Sequence, residues 1–278
     1  MLRSLSIALA LSLALGCGAS GSTGPRVPTG ATDLEPVAFL FDAASARIEV
    51  LRPPDRTLED LNAARGDARG DARRAVLRDL ARAHVIAARN TEGREARRHR
   101  DDAERFGTSA AEGTHDDTLT AEMDFLEVWV SYETGARNAA ARAERFTNRH
   151  ETAGEMLLAA WMIRGELALT AEDWSDARDA FRFALGRLDH PLYGYALFRT
   201  AFAWHEEGDD AQARQALLEV ATLGCTGDDA ATLRVALLSA RQLDVGARRD
   251  PAGTLRPGSC PETTTATEEE EGAWRPPE

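Results

Sequence analysis

The sequence predicts an all-α fold, and three observations carry that reading. Apolar residues recur three and four positions apart from about Thr57 to Leu243, as in Val76, Leu77, Leu80, His84 and Ala87. No segment in that span shows the strict alternation of a half-buried strand, and β-branched residues are sparse among Ala, Leu, Arg and Glu. Short breaks separate the blocks in pairs, at Thr91-Glu92-Gly93, Thr134-Gly135, Glu172-Asp173 and Glu207-Gly208, as helical hairpins require.

Composition sets the outer bounds. The 278 residues include 33 basic ones, all Arg, against 46 acids, for a net charge of -13. This balance argues against non-specific nucleic-acid binding, which needs a basic surface to release counterions. Three Cys in such a length are too few for a disulfide-dense scaffold. No apolar run reaches the roughly 18 residues of a membrane-spanning helix.

In chain order, residues 1–16 read as an export signal. Arg3 and the free amine supply positive charge, and Leu5 to Leu15 is apolar apart from Ser6 and Ser12. Small Gly16 then precedes Cys17. Residues 18–32 are mostly Gly, Ser, Thr, Ala and Pro, the composition of a flexible linker. Leu13-Ala14-Leu15-Gly16-Cys17 resembles the lipobox of bacterial lipoproteins, with Ala14 where that family most often has Leu. The resemblance implies that Cys17 becomes the lipidated first residue of the mature chain, with 17–32 as its tether. Gly18, in place of the Asp that retains such proteins at the inner membrane, implies the outer membrane, facing the periplasm. Each buried acyl CH2 contributes about 0.8 kcal/mol, so more than one chain gives stable anchoring. Loss of residues 1–16 leaves 32 Arg against 46 acids, a net charge of -14.

Asp33 to Val50 is open between a short strand and the start of a helix, because Val37, Phe39, Leu40 and Phe41 suit either. Pro53-Pro54 ends whatever precedes it, and the segment 33–70 carries no assigned element. From there to residue 243 the spacing predicts helices near 71–90 and 94–106, 118–133 and 136–149, 153–170 and 174–188, then 191–207 and 209–223, with a last one near 228–243. Gly107 to His115 reads as an inserted loop. Ser175, Asp209 and Asp228 stand where N-caps are wanted. The region 244–278, with six acids against Arg275 in 262–278, has the composition of a disordered tail.

The hairpins repeat. Trp161-x-x-Arg164-Gly165-x-x-Ala168, then Ala177-x-x-x-Phe181-x-x-Ala184, is followed 36 residues on by Leu197-x-x-Thr200-Ala201-x-x-Trp204, then Ala213-x-x-x-Leu217-x-x-Val220. It is preceded at the same distance by Phe125-x-x-Val128-Trp129-x-x-Tyr132, then Ala141. Small residues let the two helices of a hairpin approach, and large ones fill the gap to the next. The pattern resembles the tetratricopeptide repeat (TPR), which is about 34 residues long. Trp129 departs from it, standing where a small residue is expected, as does Arg145 where a large apolar one is. The resemblance implies a right-handed α-α superhelix over 71–243.

No pattern of catalytic or metal-binding residues emerges. His84, His99, His115, His150, His190 and His205 form no HExxH pair and sit away from Cys, so no metal site or cofactor is expected. There is no GxSxG, GxxxxGK or GxGxxG, and no enzyme is expected. Asp116-Asp117, Asp209-Asp210 and Asp228-Asp229 fall at expected helix starts, where capping explains them. Cys225 and Cys260 are the thiols left once Cys17 is acylated. A bridge would close a loop of about 36 residues and contribute roughly 3–4 kcal/mol in an oxidising compartment. Bridged and free thiols both remain open readings.

Residues 191–207 carry two apolar stripes where a surface helix needs one. Leu197, Ala201 and Trp204 form the stripe expected to pack within the array, and Tyr195, Phe198, Phe202 and His205 form the other. In the repeat family the position one along from the large packing residue faces the concave groove. Matched by spacing, Leu126, Val130, Met162, Glu166, Phe198 and Phe202 line a partner-binding groove, extended by Tyr195 and His205. Coverage by the next helix or by the N-terminal segment is the competing reading. Residues 65–105 hold twelve Arg against eight acids, the one locally basic stretch. The resulting expectation is a lipid-anchored periplasmic scaffold for protein partners in an envelope complex, binding neither nucleic acid nor an evident small-molecule substrate. The alternative is a peptidoglycan-binding or -processing accessory factor using the 65–105 face.

Overall fold

The computed structural model describes residues 36–187 and 190–226. Among them the chain is all-helical, with no strand. Residues 1–35 and 227–278 lie outside the described residues, and so do the expected signal, Cys17, the linker, the helix at 228–243, Asp228, Cys260 and the tail. Cys225 falls in the last turn of a helix, but its side chain is not among those described.

Three elements that periodicity left open precede the array, two before Pro53-Pro54 and one after it. Pro36–Ser45 is helix α1, started by Pro at its first position, where the missing N–H has no intrahelical partner to lose. One turn of 3-10 helix follows at Glu49–Leu51. Helix α2, Leu58–Asp67, opens at Thr57, whose Oγ1 accepts the Asp60 N–H at 3.2 Å and donates to Asp60 Oδ2 at 2.7 Å.

Eight helices complete the array: α3 (Gly70–Arg89), α4 (Gly93–Ala111), α5 (Asp117–Glu133), α6 (Ala139–Arg149), α7 (Glu155–Thr170), α8 (Trp174–Leu185), α9 (Leu192–Glu206) and α10 (Asp210–Thr226). Each packs on its successor in the chain, and α5 also packs on α3 and α7. Asp116 caps α5, accepting the N–H of Thr118 at 2.9 Å and of Leu119 at 3.1 Å. Asp209 caps α10 through the Gln212 N–H at 3.1 Å. The start of α8 is capped by Asp173, not Ser175, because Asp173 Oδ1 accepts the Asp176 N–H at 3.2 Å. The preceding Glu172 has φ 60°, the one non-glycine in the left-handed region among the described residues. It stands where other breaks use Gly, and costs roughly 1–2 kcal/mol of backbone strain.

The loop expected at 107–115 is mostly helix, since α4 runs on to Ala111. Ala103, Phe106, Gly107 and Ala110 continue its buried stripe, so Gly107 is a packing position and not a break. A Cβ built on Gly107 would meet Met123 Sδ of α5 at 3.6 Å. The core runs the length of the array, with Phe125, Trp129, Phe181 and Tyr195 essentially fully buried.

Candidate functional site

The expected partner groove is filled by the chain itself. Leu126, Val130, Met162, Glu166, Tyr195 and Phe198 are buried, none more than 6% exposed. Helix α1 packs against α7. Phe39 of α1 stacks on Tyr195 of α9, with ring centroids 4.6 Å apart and planes within 19°. Phe41 lies 5.4 Å from the Trp129 ring of α5, and the Arg89 guanidinium of α3 sits 3.7 Å over Phe41. One ten-residue helix therefore touches α3, α5, α7 and α9. Burying Phe39 and Leu40 there releases roughly 1.5–3 kcal/mol each, so an open groove at these positions is the costlier state. Of the two sequence readings, coverage by the N-terminal segment is the one these contacts match, and the open groove is not seen at these positions. Six of the eight groove residues serve the interior, and Phe202 and His205 are half-buried. Phe202 meets the edge of Trp174, and His205 Nδ1 pairs with Asp210 Oδ1 at 2.6 Å.

A buried ionic cluster fixes this face. Arg199 donates from Nε to Glu166 Oε1 and from Nη2 to Oε2, both at 2.7 Å, and Tyr195 donates its hydroxyl to Oε1 at 2.8 Å. Side-chain exposure is 10% for Arg199 and 4% for Glu166. Desolvation and the Glu166 carboxylate push the Tyr195 phenol well above its ordinary range, so it stays a donor. Arg199 is held above its ordinary value by Glu166 and Tyr195, against the desolvation that opposes its charge. The cluster satisfies every strong acceptor of Glu166 and reads as architecture, ordering α7 against α9.

The other stripe of α9 packs as expected at Leu197 and Ala201, which are buried, and reaches the surface at Trp204. Tyr193, Leu197, Thr200 and Trp204 floor a cleft of about 410 Å3 walled by α8 and α10. Ser175, Asp179 and Arg182 border it on the α8 side, and Gln212, Gln215 and Glu219 on the α10 side. Trp204 is half-buried, with the Arg178 guanidinium 4.0 Å over its ring and Arg178 paired to Glu207 at 2.5 Å. Tyr193 donates to Glu219 Oε1 at 2.5 Å, and burial followed by that carboxylate raises the phenol well above its usual pKa. Thr200 Oγ1 is buried and has no hydrogen-bond partner among the described residues. Leu197 is buried as the packing stripe requires, and Trp204 of the same stripe is only half-buried. A half-exposed Trp beside an unpartnered hydroxyl is the signal that spacing alone did not separate from core.

The 65–105 stretch is not one basic face. Arg78, Arg82 and Arg89 reach acids of their own or other elements: Asp79 and Glu122 for Arg78, Glu49 and Asp79 for Arg82, Glu133 for Arg89. His84 and His99 pair across the α3–α4 hairpin with their Nδ1 atoms 2.8 Å apart, a contact the sequence reading missed. Burial lowers the His84 pKa to about 4, with Asp102 opposing and His99, Arg105 and Arg98 assisting. His150 and His190 each bond a carboxylate, Asp124 at 2.8 Å and Glu155 at 2.7 Å. No group of three His, Cys, Asp or Glu placed to hold a metal occurs among the described residues, and no helix there is long and apolar enough to cross a membrane.

Comparison with known proteins gave no match: no family model, curated protein or solved structure is significantly similar to this chain.

Proposed function

We propose that this chain is a membrane-tethered scaffold that holds a protein partner in the cell envelope. In this reading its hairpins wind as a right-handed superhelix of the tetratricopeptide type. The 36-residue recurrence from Phe125 through Trp161 to Leu197 supports that winding, as does the packing of each helix on its chain neighbour. The lipobox-like segment ending at Cys17 supports an acyl anchor at the outer membrane, facing the periplasm.

One observation carries the binding role: the open cleft over α9 between α8 and α10. Its floor is apolar and aromatic, its rim is polar, and it holds one buried hydroxyl that a partner could satisfy. That is the anatomy of a recognition groove, with a desolvated centre inside a polar border. A helical segment of a partner fits it, because its walls are two helices spaced by a third. The α1-filled face is the scaffold's own interior, so docking belongs on the opposite stripe.

The test is co-purification from envelopes after mild cross-linking. Ser175 and Gln215 are exposed rim residues, and Ser175→Arg with Gln215→Arg should close the cleft without touching the core. Loss of the same partner from this well-folded double variant is the expected result. Full retention of that partner removes the cleft from the account. Mass analysis of the membrane-extracted chain, finding Cys17 acylated or unmodified, decides the tether separately.

A further inference from the structure

We propose a second binding site: an arginine-lined cleft between α2, α3 and α4 that takes a phosphate-bearing anion. The cleft, about 400 Å3, is bordered by Arg65, Arg69, Arg73 and Arg105, with Ser109 at its edge and Leu77 and Phe106 beneath. Not one carboxylate lines it, in a chain that carries 46 acids against 33 Arg. The nearby acids are turned to other work. Asp71 pairs with Arg74 at 2.7 Å, and Asp67 lines a different cleft beside Arg56 and Arg78. Asp102 pairs with Arg105 at 2.7 Å, leaving Arg65, Arg69 and Arg73 with no ion-pair partner among the described residues.

Three of the four guanidiniums are also held in place. Two of them lie over the buried Phe106 ring, Arg105 at 4.7 Å and Arg65 at 5.4 Å from its centroid. Arg69 donates from Nη1 to the carbonyls of Gly66 at 2.9 Å and Ala68 at 2.8 Å. That fixes its plane and leaves Nε and Nη2 to donate elsewhere. Arg65, Arg69 and Arg73, without a counter-ion among the described residues, repel one another and Arg105, and the folded chain tolerates them at a cost that a bound anion would offset. Guanidinium forks match phosphate oxygens in pairs, and the Ser109 hydroxyl adds a neutral donor. The apolar floor of Leu77 and Phe106 suits the organic part of a phosphate ester better than bare inorganic phosphate. Two sources share this chemistry, a soluble phosphomonoester and the headgroup of an acidic lipid. The site stands whether or not the scaffold reading does.

The test uses the full chain carrying Cys17→Ser, so that no acyl group contributes. One arm titrates glycerol phosphate by calorimetry. The other measures co-sedimentation with phosphatidylcholine vesicles with and without phosphatidic acid. Binding in either arm is expected, weakened about tenfold or more in Arg69→Gln/Arg73→Gln and unchanged in Arg214→Gln, an exposed Arg on α10. Glycerol phosphate binding identifies a soluble source, and binding only to phosphatidic acid vesicles identifies a lipid. In the unmutated cleft, the Nε–Hε resonances of Arg69 and Arg73 should shift on addition of glycerol phosphate or short-chain phosphatidic acid, which frees the test from the variants' stability. No binding in either arm, equal loss in Arg214→Gln, or resonance shifts confined to other arginines overturns the proposal.

Discussion

Two glycines inside helices should respond to the same substitution with opposite signs. In Gly165→Ala the new methyl on α7 would lie 2.4, 2.5 and 2.7 Å from three ring carbons of Phe181 on α8. Unstrained carbon contacts need about 3.5–4.0 Å, so the ring would have to retreat by about 1 Å. Phe181 is 0% exposed and has nowhere to go. Overpacking of this kind costs about 3 kcal/mol at the upper end of its usual range, and better helix propensity returns about 1 kcal/mol. The expected net loss is about 2 kcal/mol, or roughly 4–8 °C in Tm for a folded unit of this size. In Gly107→Ala the nearest atom is Met123 Sδ at 3.6 Å, an ordinary contact. There the propensity gain of about 0.5–1 kcal/mol should survive. Urea unfolding followed by circular dichroism reads both changes. Adding Phe181→Leu to Gly165→Ala should recover part of the loss. A Gly165→Ala protein as stable as the parent, or both variants moving the same way, would refute the close α7–α8 approach on which the repeat reading depends.

Other outcomes follow from the buried charges. Glu166→Leu strands Arg199 without its carboxylate and should cost about 3–5 kcal/mol, whereas Glu166→Leu/Arg199→Met should cost far less than the sum of the two single changes. Additive losses in a thermal-unfolding cycle would deny the bidentate pair. His84 has a folded-state pKa of about 4 against 6.5, because burial disfavours its imidazolium. The unfolded chain therefore takes the proton first. This group's stabilisation is complete above about pH 6.5 and falls by up to about 3 kcal/mol as pH drops to 4. Burial raises the Glu122, Glu127 and Glu133 carboxyls, which act in the opposite sense as pH falls. The difference between the parent and His84→Leu isolates the histidine. Equal acid sensitivity of the two between pH 6.5 and 4 would show that His84 is not buried neutral.

The array was readable because its helices obey one period. Stripes such as Val76, Leu77, Leu80 and His84 are buried as the spacing requires, and Asp116 and Asp209 cap where they stand in the sequence. Helix α1 was not readable, because Phe39-Leu40-Phe41 is a run of consecutive apolar residues without a polar face. It is covered on several sides by residues far along the chain, Arg89, Trp129 and Tyr195 among them. Gly107 reads as a break in the sequence yet packs inside α4, since a helical glycine that packs and one that breaks look alike locally. The sequence shows both stripes of α9, but what covers Tyr195 and Phe198 is α1, whose place is set by a contact more than 150 residues away, Phe39 to Tyr195. Glu166 carried a signal, as a lone acid in a row with Met162 and Phe198, yet its partner Arg199 is fixed only by folding.

The account turns on α1 being part of the folded body, which leaves the α8–α10 cleft as the docking surface. Hydrogen exchange on the intact chain measures this directly. The amides of residues 40–45 should be protected to a degree comparable with those in the middle of α7 and α9, opening only with the global transition. Exchange in α1 at near-unprotected rates while α7 and α9 stay protected would contradict it, and would return Tyr195 and Phe198 to an open groove.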